Sequence, residues 1–179
     1  MLNCLLRLVM TLSWMITAVL AGCTGASSEP DPVEGFSIYL VRQVGSGPQV
    51  REQDLTLLEL EDEPFLSQDD IVAYSWETHT ITLTDAARER LAALEVPLTT
   101  GRPFVVCVGD ERIYPGAFWV SYSSMSFNGI VIDTLFAQMG NGSIPIQLGY
   151  PESPEFFVGE DLRSDPRIEQ ALSEAGKLR

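Results

Sequence analysis

From Phe36 onward the apolar residues come in short bursts, separated by glycine, proline, acidic and hydroxyl residues. Bursts of that length, rich in β-branched and aromatic side chains, predict strands more often than helices. Phe36-Ser37-Ile38-Tyr39-Leu40-Val41 is the first predicted strand, and Gly45-Ser46-Gly47-Pro48 is a turn signal after it. Leu55 to Leu60 is a second strand candidate. Ser67 before Gln68-Asp69-Asp70-Ile71 has the form of an N-cap with acids in the first turn, predicting a short helix that ends at Tyr74-Ser75-Trp76. His79 to Leu83 alternates like a half-buried strand. Thr84 and Asp85 then open a helix whose apolar face is Ala86, Ala87, Leu91 and Leu94.

Gly101-Arg102-Pro103 breaks the chain before a valine-rich strand, Phe104 to Val108. Gly109-Asp110 is a hairpin signal leading to Arg112-Ile113-Tyr114. Pro115-Gly116 predicts an interruption, so that Ala117 to Val120 is bulged or starts a new edge. Ser121 to Ser126 reads as loop and Ile130-Val131-Ile132 as strand. Ser143 to Leu148 is one more strand, with Pro145 placing it at an edge. Asp165-Pro166 opens a terminal helix that Gly176 closes. The predicted fold class is α+β: a single small domain, mostly antiparallel sheet, with one packed helix and a C-terminal helix.

The N-terminus follows different rules. Arg7 precedes an apolar stretch from Leu8 to about Leu20, followed by small residues. A charged start, a short apolar run and a small-residue cut site are the layout of a secretory signal. The stretch between Arg7 and Thr24 has 16 residues, including Thr11, Ser13 and Thr17. A spanning helix needs about 20 apolar residues, so a signal fits better than an anchor. Leu20-Ala21-Gly22-Cys23 resembles the lipobox of bacterial lipoproteins. That resemblance implies cleavage before Cys23 and acylation of its sulfur, in the manner of palmitate-bearing anchors. Residues 1–22 are then the signal, 23–35 a lipidated tether and 36–179 the globular domain. The tether, Thr24 to Gly35, is small, polar and acidic, and extended it reaches about 40 Å.

Export changes how the charge is read. The chain holds 11 Lys+Arg against 25 Asp+Glu, a net −14. Such a surface repels phosphate backbones, so no nucleic acid is expected as a partner. It also repels anionic head groups, so membrane attachment is expected through the lipid on Cys23 alone. The expected location is the outer face of the cell membrane in a monoderm, or the periplasmic side of either membrane in a diderm. Thr24 does not supply the aspartate signal for inner-membrane retention. With Cys4 in the signal and Cys23 acylated, Cys107 has no internal disulfide partner and reads as a small core residue.

One internal resemblance covers roughly residues 66–133. The alternating strand His79–Leu83, the capped helix Thr84–Leu94, the strand Phe104–Val108 and the hairpin Val108-Gly109-Asp110-Glu111 follow one another in order. The run resembles the P1 head subdomain of SecD-type export proteins, with glycine and aspartate transposed in the hairpin. It implies a shared α+β head fold. The transmembrane helices of those proteins have no counterpart here, so their activity is not implied.

Candidate chemistry is sparse. His79 is the only histidine and a potential general base, with Ser123, Ser124 or Ser126 as nucleophiles; no G-x-S-x-G elbow is present. Zinc spacings are absent, and the acids from Glu59 to Asp70 match no calcium loop. No phosphate-cradling glycine pattern occurs, and no cofactor is expected. Tyr114, Phe118, Trp119, Tyr122 and Phe127 crowd together. Most are expected in the core, with Trp119 and Tyr122 at the surface; Trp119, Tyr122 and Phe127 form the candidate interaction surface. The expected function is a noncatalytic envelope module that binds a partner, an envelope protein among the candidates. The alternatives are a His79-based surface hydrolase and an accessory factor in export or envelope assembly.

Overall fold

Alternating apolar positions need a common interior, and eight β-segments share one sheet to supply it. The computed structural model describes residues 35–42, 54–139 and 142–179, within a compact unit from Pro32 to Arg179. The strands are β1 (Phe36–Leu40), β2 (Leu66–Ser67), β3 (Ile71–Ser75), β4 (Thr80–Leu83), β5 (Arg102–Val108), β6 (Glu111–Trp119), β7 (Phe127–Asp133) and β8 (Ser143–Tyr150). The helices are α1 (Asp85–Ala92), α2 (Leu135–Gln138) and α3 (Pro166–Glu174). The class is α+β, with the mostly antiparallel sheet, packed helix and C-terminal helix that the pattern predicts. The short α2 is an addition.

In space the strands run β2-β1-β5-β6-β7-β8-β4-β3. All neighbours are antiparallel except β6 and β7. The two outermost strands, β2 and β3, are joined in sequence by a single 3-10 turn, Gln68–Asp70. The sheet therefore curls until its edges approach each other. Beside that closure, α3 packs on β1 and β5, and the C-terminal residues pair with β3. Tyr74 N donates to Lys177 O at 2.8 Å and Arg179 N donates to Tyr74 O at 2.9 Å. The interior holds Phe36, Ile38, Phe104, Phe118, Ile132 and Ile144, together with Leu91 of α1 and Leu172 of α3.

Caps behave as the sequence indicates. Thr84 Oγ1 accepts from Ala87 N at 3.3 Å, and Asp165 accepts from Arg167 N at 2.9 Å with Pro166 in the first turn. Four expectations change. Leu55–Leu57 forms a 3-10 turn, not a strand. Asp54 caps it through Thr56 N, and the Arg112 guanidinium donates to the carbonyls of Leu55 and Leu58. The helix expected after Ser67 stops after one turn. The Ser67–Asp70 capping box forms, but Ile71-Val72-Ala73-Tyr74 then extends as β3, because pairing with β4 buries Ile71, Ala73 and Tyr74 while Val72 stays exposed.

Proline misleads twice. β6 runs through Pro115-Gly116 without a break. Pairing with β7 starts only at Gly116, so the missing N–H of Pro115 leaves no gap in that ladder. Gly116 is required for contact: a Cβ there would lie 2.3 Å from the Phe104 ring. β8 is an interior strand in spite of Pro145. Its first residues pair with β4 up to Pro145, and its later ones pair with β7 from Ile146 onward. Pro145 thus sits at the exchange of partners. Cys23, the tether up to residue 34 and the Gly45–Pro48 turn lie outside the described residues.

Candidate functional site

A parallel crossover normally takes about a dozen residues or more and contains a helix. Here β6 reaches the parallel β7 through Val120–Ser126 alone, leaving no room for one. This segment is a strap. Beneath it lies a separate apolar cluster of Ala117, Trp119, Phe127 and Val131, with Tyr150 packed against it. The Trp119 and Phe127 rings stack at 5.4 Å and 14°.

This arrangement divides the aromatic cluster. Trp119 is 1% and Phe127 2% exposed, whereas Tyr122 is 67% exposed. Trp119 is therefore not at the surface, and neither it nor Phe127 presents contact area to a partner in this conformation. They are the base on which the strap rests. Gly101 sits close enough for the Trp119 ring to occupy the space of a Cβ, 2.5 Å away, and its φ of +64° also favours glycine. Tyr114 and Phe118 lie in the main core.

Polar contacts hold the strap down. Tyr150 Oη donates to Ser121 O at 2.6 Å, and Ser121 Oγ donates to the buried Asp133 carboxylate. The other Asp133 oxygen accepts from Leu135 N at 2.9 Å, opening α2. Ser123 Oγ donates to Leu98 O at 2.6 Å and accepts from Met125 N. The turn carrying Leu98 is thereby joined to the strap. Leu98, Tyr122 and Met125 are 49%, 67% and 47% exposed. The site is this pair of hydrogen-bonded segments, which expose one aromatic and two other apolar side chains among serines. Sequence reading found Tyr122 but missed Leu98 and Met125. The available signal was the lack of charge in both segments.

His79 occupies a different place. It lies just before β4, in the left-handed region at φ 46°, where histidine is tolerated better than most residues. Its ring is buried. Nδ1 is 3.2 Å from Tyr74 Oη and Nε2 is 3.3 Å from Ser164 Oγ. Trp76 packs edge-on against it. Burial and the Arg163 charge push the imidazole below its ordinary value, and Asp161 opposes them. Burial raises the Tyr74 phenol well above the usual range, so the partner at Nδ1 is a neutral hydroxyl. Ser123, Ser124 and Ser126 are not among the hydrogen-bond partners of His79; Ser164, which sequence reading did not single out, is. An imidazole between two hydroxyls can accept one proton and donate another. Here it ties the β3–β4 turn to the 3-10 turn Leu162–Ser164.

The remaining candidates are structural in their contacts. Cys107 is buried and its thiol is pushed up to about 11, chiefly by burial. Arg42 pairs with Glu61 and Asp62, and Arg90 pairs with Asp70 at 2.7 Å. Among the described residues, no group of His, Cys, Asp and Glu could hold a metal ion, and no helix is long and apolar enough to cross a membrane. Compared with protein-family models, characterised proteins and solved structures, the chain matches none.

Proposed function

We propose that this chain is an envelope lipoprotein, anchored through acylated Cys23, whose domain acts by binding through the strap Val120–Ser126. The supporting observation is the seating of that strap. The strap that carries exposed Tyr122 and Met125 is flanked by the buried, stacked Trp119 and Phe127. Tyr150 Oη donates to its backbone at Ser121, and the Ser121 and Ser123 hydroxyls donate to Asp133 and to Leu98 O. A segment whose backbone is already held loses less conformational freedom on contact than a free loop would, which favours recognition. The anchor reading rests on the Leu20–Cys23 motif and on an acidic surface that gives the domain no attraction of its own to anionic lipid.

One experiment addresses both parts. Membrane fractions and captured partners are compared for wild type, Cys23→Ala and the double substitution Tyr122→Ala/Met125→Ala. Cys23→Ala is expected to release or mislocalise a domain that still folds. The strap double variant is expected to stay in the membrane and lose its partner. A Cys23→Ala protein that remains normally membrane-bound overturns the anchor. Undiminished capture by the strap variant overturns the binding surface.

A further inference from the structure

Charge is distributed unevenly along this chain. It carries a net −14, yet from Ile113 to Pro151 the only charged side chain is Asp133, which is 2% exposed. The turn Val96–Gly101, bonded to the strap through Leu98, is also uncharged. The exposed groups on the strap are Ser121, Tyr122, Ser124, Met125 and Ser126.

We propose that this face pairs with a second copy of the same chain, strap against strap. A two-fold interface sets one patch against itself, so a charged side chain near the axis would meet its like. Much of an acidic domain is excluded on that ground, and the strap is not. Its polar groups also suit self-pairing. A hydroxyl both donates and accepts, so Ser124, Ser126 and Tyr122 can bond to their own symmetry mates, as a carboxylate or an ammonium cannot. Tyr122, Met125 and Leu98 supply the apolar contact.

A standard stable interface takes about 20–30 residues from each partner, more than the strap Val120–Ser126 and the turn Val96–Gly101 together contain. Pairing is therefore weak in dilute solution and favoured, by mass action, where anchoring confines the domains to one membrane surface. Salt gives a directional signature. Two net-acidic bodies repel beyond their contact, and salt shortens that repulsion from about 10 Å at 0.1 M to about 3 Å at 1 M. Pairing then tightens with salt, whereas contact with a basic partner loosens.

This inference rests on the strap being the binding surface and on the membrane anchor. The test uses the full-length chain in its own membranes, carrying Ser124→Cys or Ser126→Cys, with copper-catalysed oxidation read as a dimer on a non-reducing gel. A dimer is expected from at least one strap position. Its yield should rise severalfold with salt and be lost when Tyr122→Glu or Met125→Glu is added. Ser173→Cys, exposed on α3, should give none. Three results overturn the second copy: no dimer at either strap position, equal dimer from Ser173→Cys, or a yield that falls with salt. If Tyr122→Glu releases another captured protein while no strap cross-link forms, the second copy fails and the binding surface stands. If neither is seen, both fail.

Discussion

His79 shows how one buried side chain ties stability to pH. Its ring is enclosed by Tyr74, Trp76 and Ser164, and burial lowers its affinity for a proton. In the unfolded chain the group titrates near 6.5. Between the lower folded value and about 6.5 the unfolded state binds more protons, so stability falls as the pH drops below that point and is complete above it. Asp70 and Asp161 have carboxyls held below their ordinary range. Their contributions disappear only below about pH 4. His79→Gln is therefore expected to flatten the change in melting temperature between about pH 7 and 5. An unchanged slope would assign that dependence to another group. The single histidine was visible in the sequence. Its partner Ser164 was not, because 85 positions separate the two and only the fold brings them together.

Among the elements, the strap carries the functional reading. It crosses between parallel strands with little internal structure, and Tyr150 on β8 holds its backbone at Ser121. Tyr150→Phe removes that donor but keeps the ring against Trp119. A net hydrogen bond is worth about 1 kcal/mol, which is roughly a fivefold change in a local opening equilibrium. Amide exchange across Ser121–Met125 is expected to quicken by about that factor, with protection in β5 and β6 unchanged. Equal protection in wild type and variant would show that the strap is held elsewhere. The loop was legible from its serines. That Trp119 lies under it was not, because loop length alone does not show that β6 and β7 are parallel and that the connection must cross a sheet face. The short helix expected after Ser67 failed for a related reason: a good cap starts a turn, but pairing with β4 decided what followed it.

The whole molecule depends on its closure. β2 and β3 lie at opposite ends of the strand order, and the C-terminal residues complete the β3 edge by accepting from Tyr74 N and Trp76 N and donating to Tyr74 O. Leu178 packs against the main core. Removing Lys177–Arg179 would leave three backbone groups, two on Tyr74 and one on Trp76, without these partners. The expected loss is about 2 kcal/mol, read as a lower urea midpoint with little change in slope. A midpoint equal to that of the full chain would show that the tail only lies against the fold.

Local features of this protein were decided by the sequence itself. The Thr84 and Asp165 caps, the Gly109-Asp110 hairpin, the valine-rich β5 and the α+β class all follow from neighbours in the chain. The proposed anchor at Leu20–Cys23 likewise rests on a linear pattern, read without the fold. Tertiary structure decided the burial of Trp119 and Phe127, the exposure of Leu98 and Met125, the tolerance of Pro115 and Pro145 within strands, and the partners of His79. Each of these depends on which distant strand lies alongside. That choice is made by the sheet as a whole, when it curls to bury one face and the strap covers part of the other.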